Sequence, residues 1–390
     1  MAQESFGDVP LFREIQRILA SSEGPLNLEI ARQVGNAIAT QGLSDTDVPA
    51  ETTRSLDEAV TEATGVVTGY VRKGFEEPVL TKGVGIGWWV ESTLTGWKWL
   101  LEHLAEHFSG ELGRLGGESE QANPVQAAMG QMAPLLVGIQ AGILAGNLAR
   151  SALGRYDFPI PREDDGRLFY VVPNLERIQA DYDLEAQDLY RWLAAHDVAR
   201  HLALISAPWV PGYLRSLLIE IVDATELDSS DLERRLIELQ SMGMDALQEG
   251  AGEGQTLPVV PTARHQRALD RLRAFLACLE GYAQHVGGQV APQLVSNASR
   301  IEESIARHET SRAETEQILD QILGVSIDRE LESRGETFCA AIVKLHGIAE
   351  LNKVWAAPDN VPTIEEIRDP FAWMERVLGD DGENPELDPA

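Results

Sequence analysis

Apolar residues recur at three- and four-residue spacing along most of the chain, the period of helices that bury one face. Residues 1 to 50 read as two short helices with polar joints. From Ala50 to about Arg72 the acidic positions lie opposite the apolar ones, which predicts an amphipathic helix. Trp89 to Phe108 repeats the pattern, with Trp97, Leu100, Leu101 and Leu104 on one side. Gly83, Gly85 and Gly87 read as a flexible stretch before it, and Ser109 to Asn123, rich in Gly, Ser and Glu, as a loop after it. Met132 to Ala149 is apolar almost throughout and predicts a buried helix. Its Gly138, Gly142 and Gly146 share a face on which a second helix can approach closely.

The best strand is Arg167 to Val172, ended by Pro173-Asn174. Helices are expected again at Leu184–Leu204, Tyr213–Ala224, Thr262–Val286, Val295–His308, Glu314–Leu323, Arg329–His346, Ala349–Trp355 and Pro362–Leu378. Gln248 to Thr256 reads as a mobile loop. The tail from Gly379, with Asp380, Asp381, Glu383, Glu386 and Asp388 and no base, reads as disordered. The expected architecture is mainly α with a small β element near 167–172. It divides into an N-terminal helical extension (1–60), a single helical domain (61–378) and an acidic tail (379–390).

Charge narrows the function. The formal charge is −30, which opposes binding to a phosphate backbone or an anionic membrane. It favours cationic partners, metal ions included, without selecting one. Cys278 and Cys339 are too few for a disulfide framework and sit in apolar helical patterns, as buried thiols do. Pro134, Gln140 and Asn147 interrupt the most apolar run, whereas a spanning helix needs about 20 nearly unbroken apolar residues. Met1 to Ser5 lacks the basic and apolar regions of a signal peptide. These features imply a cytoplasmic protein with no nucleic-acid or membrane partner, whose ligand is a peptide or a small molecule. Gly83-Val84-Gly85-Ile86-Gly87 lacks the spacing of a dinucleotide fingerprint, and no G-x-S-x-G elbow is present.

The chemistry-bearing segment is Trp192-Leu193-Ala194-Ala195-His196-Asp197-Val198-Ala199-Arg200-His201. An H-E-x-x-H zinc site needs two imidazoles four residues apart on one helical face, with a glutamate between them to polarise the bound water. Here His196 holds the first ligand position and Asp197 the place of the catalytic base, one methylene shorter than glutamate. Arg200 stands in the second ligand position. A guanidinium has no lone pair to give and stays charged, so it repels a zinc ion. His201, five residues on, lies about 140° round the helix from His196.

The segment resembles the W-x-x-x-H-E-x-x-H helix of the zincin-like metallopeptidase family of type 2, also described as associated with coenzyme biosynthesis. Further matches follow in order: Tyr156-Asp157, Arg167-Leu168 with Pro173-Asn174, Ala207-Pro208-Trp209 with Tyr213-Leu214, and Leu279-Glu280-Gly281-Tyr282-Ala283-Gln284-His285-Val286. Gly335-Glu336-Thr337-Phe338-Cys339, Leu351-Asn352-Lys353-Val354-Trp355 and Pro362-Thr363 before Asp369-Pro370 complete the series, spanning about residues 60 to 376. The resemblance implies a zincin-like helical core in which the helices at 184–204 and 262–286 pack together. It also implies a metal-dependent hydrolase with Glu280 as third zinc ligand. Gln284 departs from the family's second glutamate.

Three arrangements stay open. The motif is an inherited core helix without metal; or His196, Glu280 and a non-standard ligand such as His285 hold an ion; or a conventional three-ligand site forms. In the first, Arg200 should pair with Glu280 or Asp197, since a buried carboxylate needs a cationic partner. Asp197 is the candidate base; Tyr282 is a candidate to orient substrate, or is simply packed. The functions that follow are a hydrolase with reduced or lost zinc binding and an inactive scaffold that binds a ligand or protein. His103-Leu104-Ala105-Glu106-His107 has the inverted H-x-x-E-H spacing, but a solvated helix face explains it equally.

Overall fold

The computed structural model describes residues 24–41, 47–115, 124–158, 160–205, 207–227, 259–260, 262–311 and 329–379. The expected helix at 314–323, the loop at 248–256 and the tail from residue 380 lie outside the described residues.

The fold is mainly helical with a small β element. In chain order come α1 (Leu28–Thr40), α2 (Ala50–Val71), β1 (Thr81–Val84), α3 (Ile86–Gly96), α4 (Lys98–Leu115) and α5 (Pro124–Ala149). Then follow β2 (Leu168–Val171), α6 (Val172–Tyr182), α7 (Ala186–Ile205), α8 (Val210–Asp223), β3 (Glu226–Leu227) and β4 (Val259–Val260). The last group is α9 (Ala263–Leu294), α10 (Ala298–Ser311), α11 (Arg329–His346), α12 (Ile348–Leu351), α13 (Ile364–Arg368) and α14 (Pro370–Leu378).

α7 lies at the centre. From Leu189 to Ala203 only Arg191 and Arg200 are less than fully buried, because α2, α8, α9 and α10 surround it. α9 packs along it, as the two motif helices should, and α11 packs on the far side of α9. That second contact is very close. A Cβ on Gly335 would fall 1.9 Å from the Ala277 carbonyl oxygen, and one on Gly281 would fall 2.1 Å from the Gly335 carbonyl carbon. The glycine stripe of α5 serves the same purpose against α1. Side chains at Gly138, Gly142 and Gly146 would strike the carbonyls of Asn27, Ala31 and Gly35 at 2.5, 2.5 and 2.7 Å.

β2 is the expected strand, and it pairs in parallel with β1, Thr81 opposite Leu168 and Val84 opposite Val171. The supposedly flexible glycine stretch therefore supplies a strand and a helix start. Gly83 is there for space: a Cβ would sit 3.0 Å from Thr53 and Val48. Other boundaries differ from expectation too, and α6 (Val172–Tyr182) is a helix the sequence reading did not expect. The Trp89–Phe108 helix is two helices joined at Trp97, and α4 continues to Leu115 through what reads as a loop. α9 runs past Val286 to Leu294. No single helix among the described residues is long and apolar enough to cross a membrane; α7 and α8 reach that measure only together, across an 87° bend.

Candidate functional site

His196 is fixed on three sides. Its Nδ1 lies 2.9 Å from the Trp192 carbonyl oxygen. A carbonyl only accepts, so Nδ1 carries the proton and Nε2 is left with a lone pair. The Trp192 ring lies against the imidazole, centroids 3.9 Å apart. The other neighbour is Gly287 of α9, where a Cβ would fall 2.5 Å from Nε2. Burial lowers the pKa of His196 to about 3, helped by the nearby Arg200 cation, so the ring is neutral. This is the tautomer and charge a zinc ligand adopts.

The rest of the donor set is occupied otherwise. Arg200 donates through Nε to Glu280 Oε1 at 2.8 Å and through Nη2 to Oε2 at 2.7 Å, a two-pronged bond to the carboxylate of the third-ligand position. Its Nη1 donates to Asp197 Oδ1 at 3.0 Å. One guanidinium thus bridges the base position and the third-ligand position. Burial works against the charge of Arg200, but Glu280 and Asp197 outweigh it and raise its pKa above the usual value. Asp197 moves the other way. Burial pushes it up to about 7, against the pull of Arg200 and with help from Asp157 and Glu280.

These residues do not fit a zinc ion. The ion would have to share Glu280 with a permanent cation already bonded there, and the second imidazole is absent. Among the described residues no group of three or more His, Cys, Asp or Glu side chains is arranged to hold a metal. His285 does not make up the set. Five residues beyond Glu280 on one helix, it points about 140° away, and its Nε2 lies 3.0 Å from the Tyr70 hydroxyl. His201 likewise faces away, stacked on Phe75 and hydrogen-bonded through Nδ1 to the Tyr156 hydroxyl.

Tyr282 is packed edge-on against Trp355 and donates its hydroxyl to Asn352 Oδ1 at 3.0 Å. Gln284, one turn beyond Glu280, lines the cavity. The inverted motif has a structural role: His103 Nε2 bonds Asp223 Oδ1 and His107 Nε2 bonds the Thr225 carbonyl, each at 2.8 Å, tying α4 to the end of α8. Cys278 and Cys339 are both buried, unbridged thiols.

His196, Asp197, Arg200, Glu280 and Gln284 open onto one cavity of about 390 Å³, within the ~300–1,000 Å³ of small-molecule sites. Sequence reading missed much of its wall. Tyr170 enters from β2, Asp157 from the turn before it, Glu302 and Glu309 from α10, and Glu332 and Glu336 from α11. Tyr156-Asp157 and Glu336 lie in the matched motifs, but nothing local marks them as cavity residues. Gly287 was missed too, since its signal is steric and appears only when α7 and α9 meet.

A buried helix carrying W-x-x-x-H, crossed by a second helix that presents a glutamate to it, defines a zincin-type frame. The chain belongs to the zincin-like metallopeptidase family, whose model matches residues 26–374. Among solved structures it is similar to that of a candidate hydrolase with a novel fold from Chloroflexus aurantiacus. The TM-score is 0.64 with 24% identity, covering 90% of this chain and 98% of that one. That likeness establishes the fold. No curated protein matches.

Proposed function

We propose that this chain is a metal-free member of its family, a hydrolase-type scaffold whose cleft binds a small ligand without zinc chemistry. The carrying observation is the position of Arg200: its guanidinium stands in the second-ligand position and bonds both Glu280, in the third-ligand position, and Asp197, in the base position. Family membership and the candidate-hydrolase description of the Chloroflexus structure support a hydrolase ancestry. A hydrolase working without zinc is the second reading. It is favoured by Asp197, which keeps the base position and lines the cavity with Tyr170.

The test is to rebuild the zinc motif. The double variant Asp197→Glu/Arg200→His restores H-E-x-x-H beside Glu280 and is expected to acquire one zinc per chain, read by metal analysis after zinc exposure and desalting. A folded double variant that stays free of zinc would show that something other than the guanidinium excludes the ion, against this reading.

A further inference from the structure

The chain has two cysteines among its 390 residues, 61 positions apart. Cys278 lies on α9 and Cys339 on α11. Folding brings them together: the Cys339 thiol lies within hydrogen-bonding reach of Cys278. Both are sealed in the core as free thiols, 1% and 0% exposed.

Packing alone does not require the pair. The backbones of α9 and α11 touch beside it, where Gly335 meets Ala277 and Gly281, so only small side chains fit there. Cysteine serves as a small hydrophobe in such a contact. Alanine serves as well, and the same interface uses it at Ala274 and Ala277. Two thiols facing each other add what alanine lacks: they can be joined. A disulfide spans Cα atoms ~4.4–6.8 Å apart, within reach where two helix backbones touch. The surroundings set the pace. Burial pushes the Cys339 thiol well above its ordinary pKa, and Cys278 and Glu336 push it the same way. Little thiolate is present to start an oxidation, so the pair stays reduced through brief exposure.

We propose that Cys278 and Cys339 form a reversible latch: a peroxide joins them into a disulfide between α9 and α11, and a dithiol reductant opens it. One thiolate attacks a peroxide oxygen and breaks the O–O bond, leaving a sulfenic acid and one water. The second thiol then attacks the sulfenic sulfur, forms the S–S bond and releases the oxygen as a second water. The two thiols give up two electrons and two protons, and the peroxide takes both. The joined helices carry cavity-lining residues, Glu280 and Gln284 on α9 and Glu332, Ser333 and Glu336 on α11. The latch therefore fixes one side of the cleft against the other, whether or not the cleft takes zinc.

The test is non-reduced peptide mapping of the folded full chain after graded hydrogen peroxide, with and without later dithiothreitol. A linked Cys278–Cys339 peptide is expected, formed over hours rather than seconds, lost on reduction and absent from Cys278→Ser. The oxidised chain should melt several degrees above the same sample after dithiothreitol, because a cross-link between residues so far apart in sequence restricts the unfolded chain. Amides of α11 should also exchange more slowly in the oxidised form. Sulfinic or sulfonic acid at either cysteine without the link would overturn the proposal. So would two unmodified thiols at peroxide levels that oxidise the methionines, or a link that forms only in urea.

Discussion

Truncating Arg200 would leave the buried Asp197 and the half-buried Glu280 on adjacent helices with no cation between them. Their side chains are 11% and 27% exposed, so solvent repairs little of the loss at Asp197 and part of it at Glu280. Arg200→Ala is expected to cost about 2–4 kcal/mol in urea unfolding, somewhat under the ~3–5 kcal/mol of breaking a fully buried ion pair, since Glu280 is partly solvated. A loss of a few tenths would mean that the bridge is a loose surface contact. His201 gives the pH signature. Burial, with Arg155 nearby, lowers its pKa to about 4, whereas an unfolded histidine titrates near 6.5. As pH falls below 6.5 the unfolded chain takes up a proton that the folded chain refuses until about 4. Stability therefore drops through that window and is unaffected above it. The contribution is on the order of 3 kcal/mol. Melting of wild type and His201→Gln from pH 7 to 4 checks this, and the variant should lose less on acidification. The charge conflict at Arg200 was readable from sequence because it lies inside one helix, where spacing fixes the face. The acids on α10 and α11 were not, because only tertiary packing brings them to the same cavity.

Elements with strong local signals were found correctly. β2 is a short apolar run ended by a proline, and the central helix α7 has unbroken helical character around His196. The errors came where distant chain segments decide. Thr81-Lys82-Gly83-Val84 has no alternation of its own and becomes a strand only because Leu168–Val171 pairs with it. Gly287-Gly288 resembles a helix end, but the helix runs on, since Gly287 is there to admit the His196 ring. The break at Trp97 leaves the helical period intact on both sides, so no pattern reveals it. The glycine contacts between α9 and α11 offer a test at this scale. A methyl at Gly335 would meet backbone, which cannot rotate aside, so Gly335→Ala should cost more than the ~1–3 kcal/mol of ordinary overpacking. An unchanged unfolding midpoint would mean that the two helices do not touch as described.

For the whole molecule, the family frame and the substituted chemistry point in different directions. The chain keeps the crossing of two motif helices, the tryptophan against the histidine and the glutamate opposite. It places a permanent cation where the second imidazole would stand. The chain as a whole is acidic, −30 overall, and seven carboxyl groups lie among the cavity-lining residues. The central claim is that Arg200 holds the place of the ion. The most direct measurement is the metal content of the wild-type chain, purified without chelator or added zinc. The account predicts no stoichiometric transition metal and a melting temperature that EDTA does not change. One equivalent of zinc, lost in His196→Ala, would contradict it.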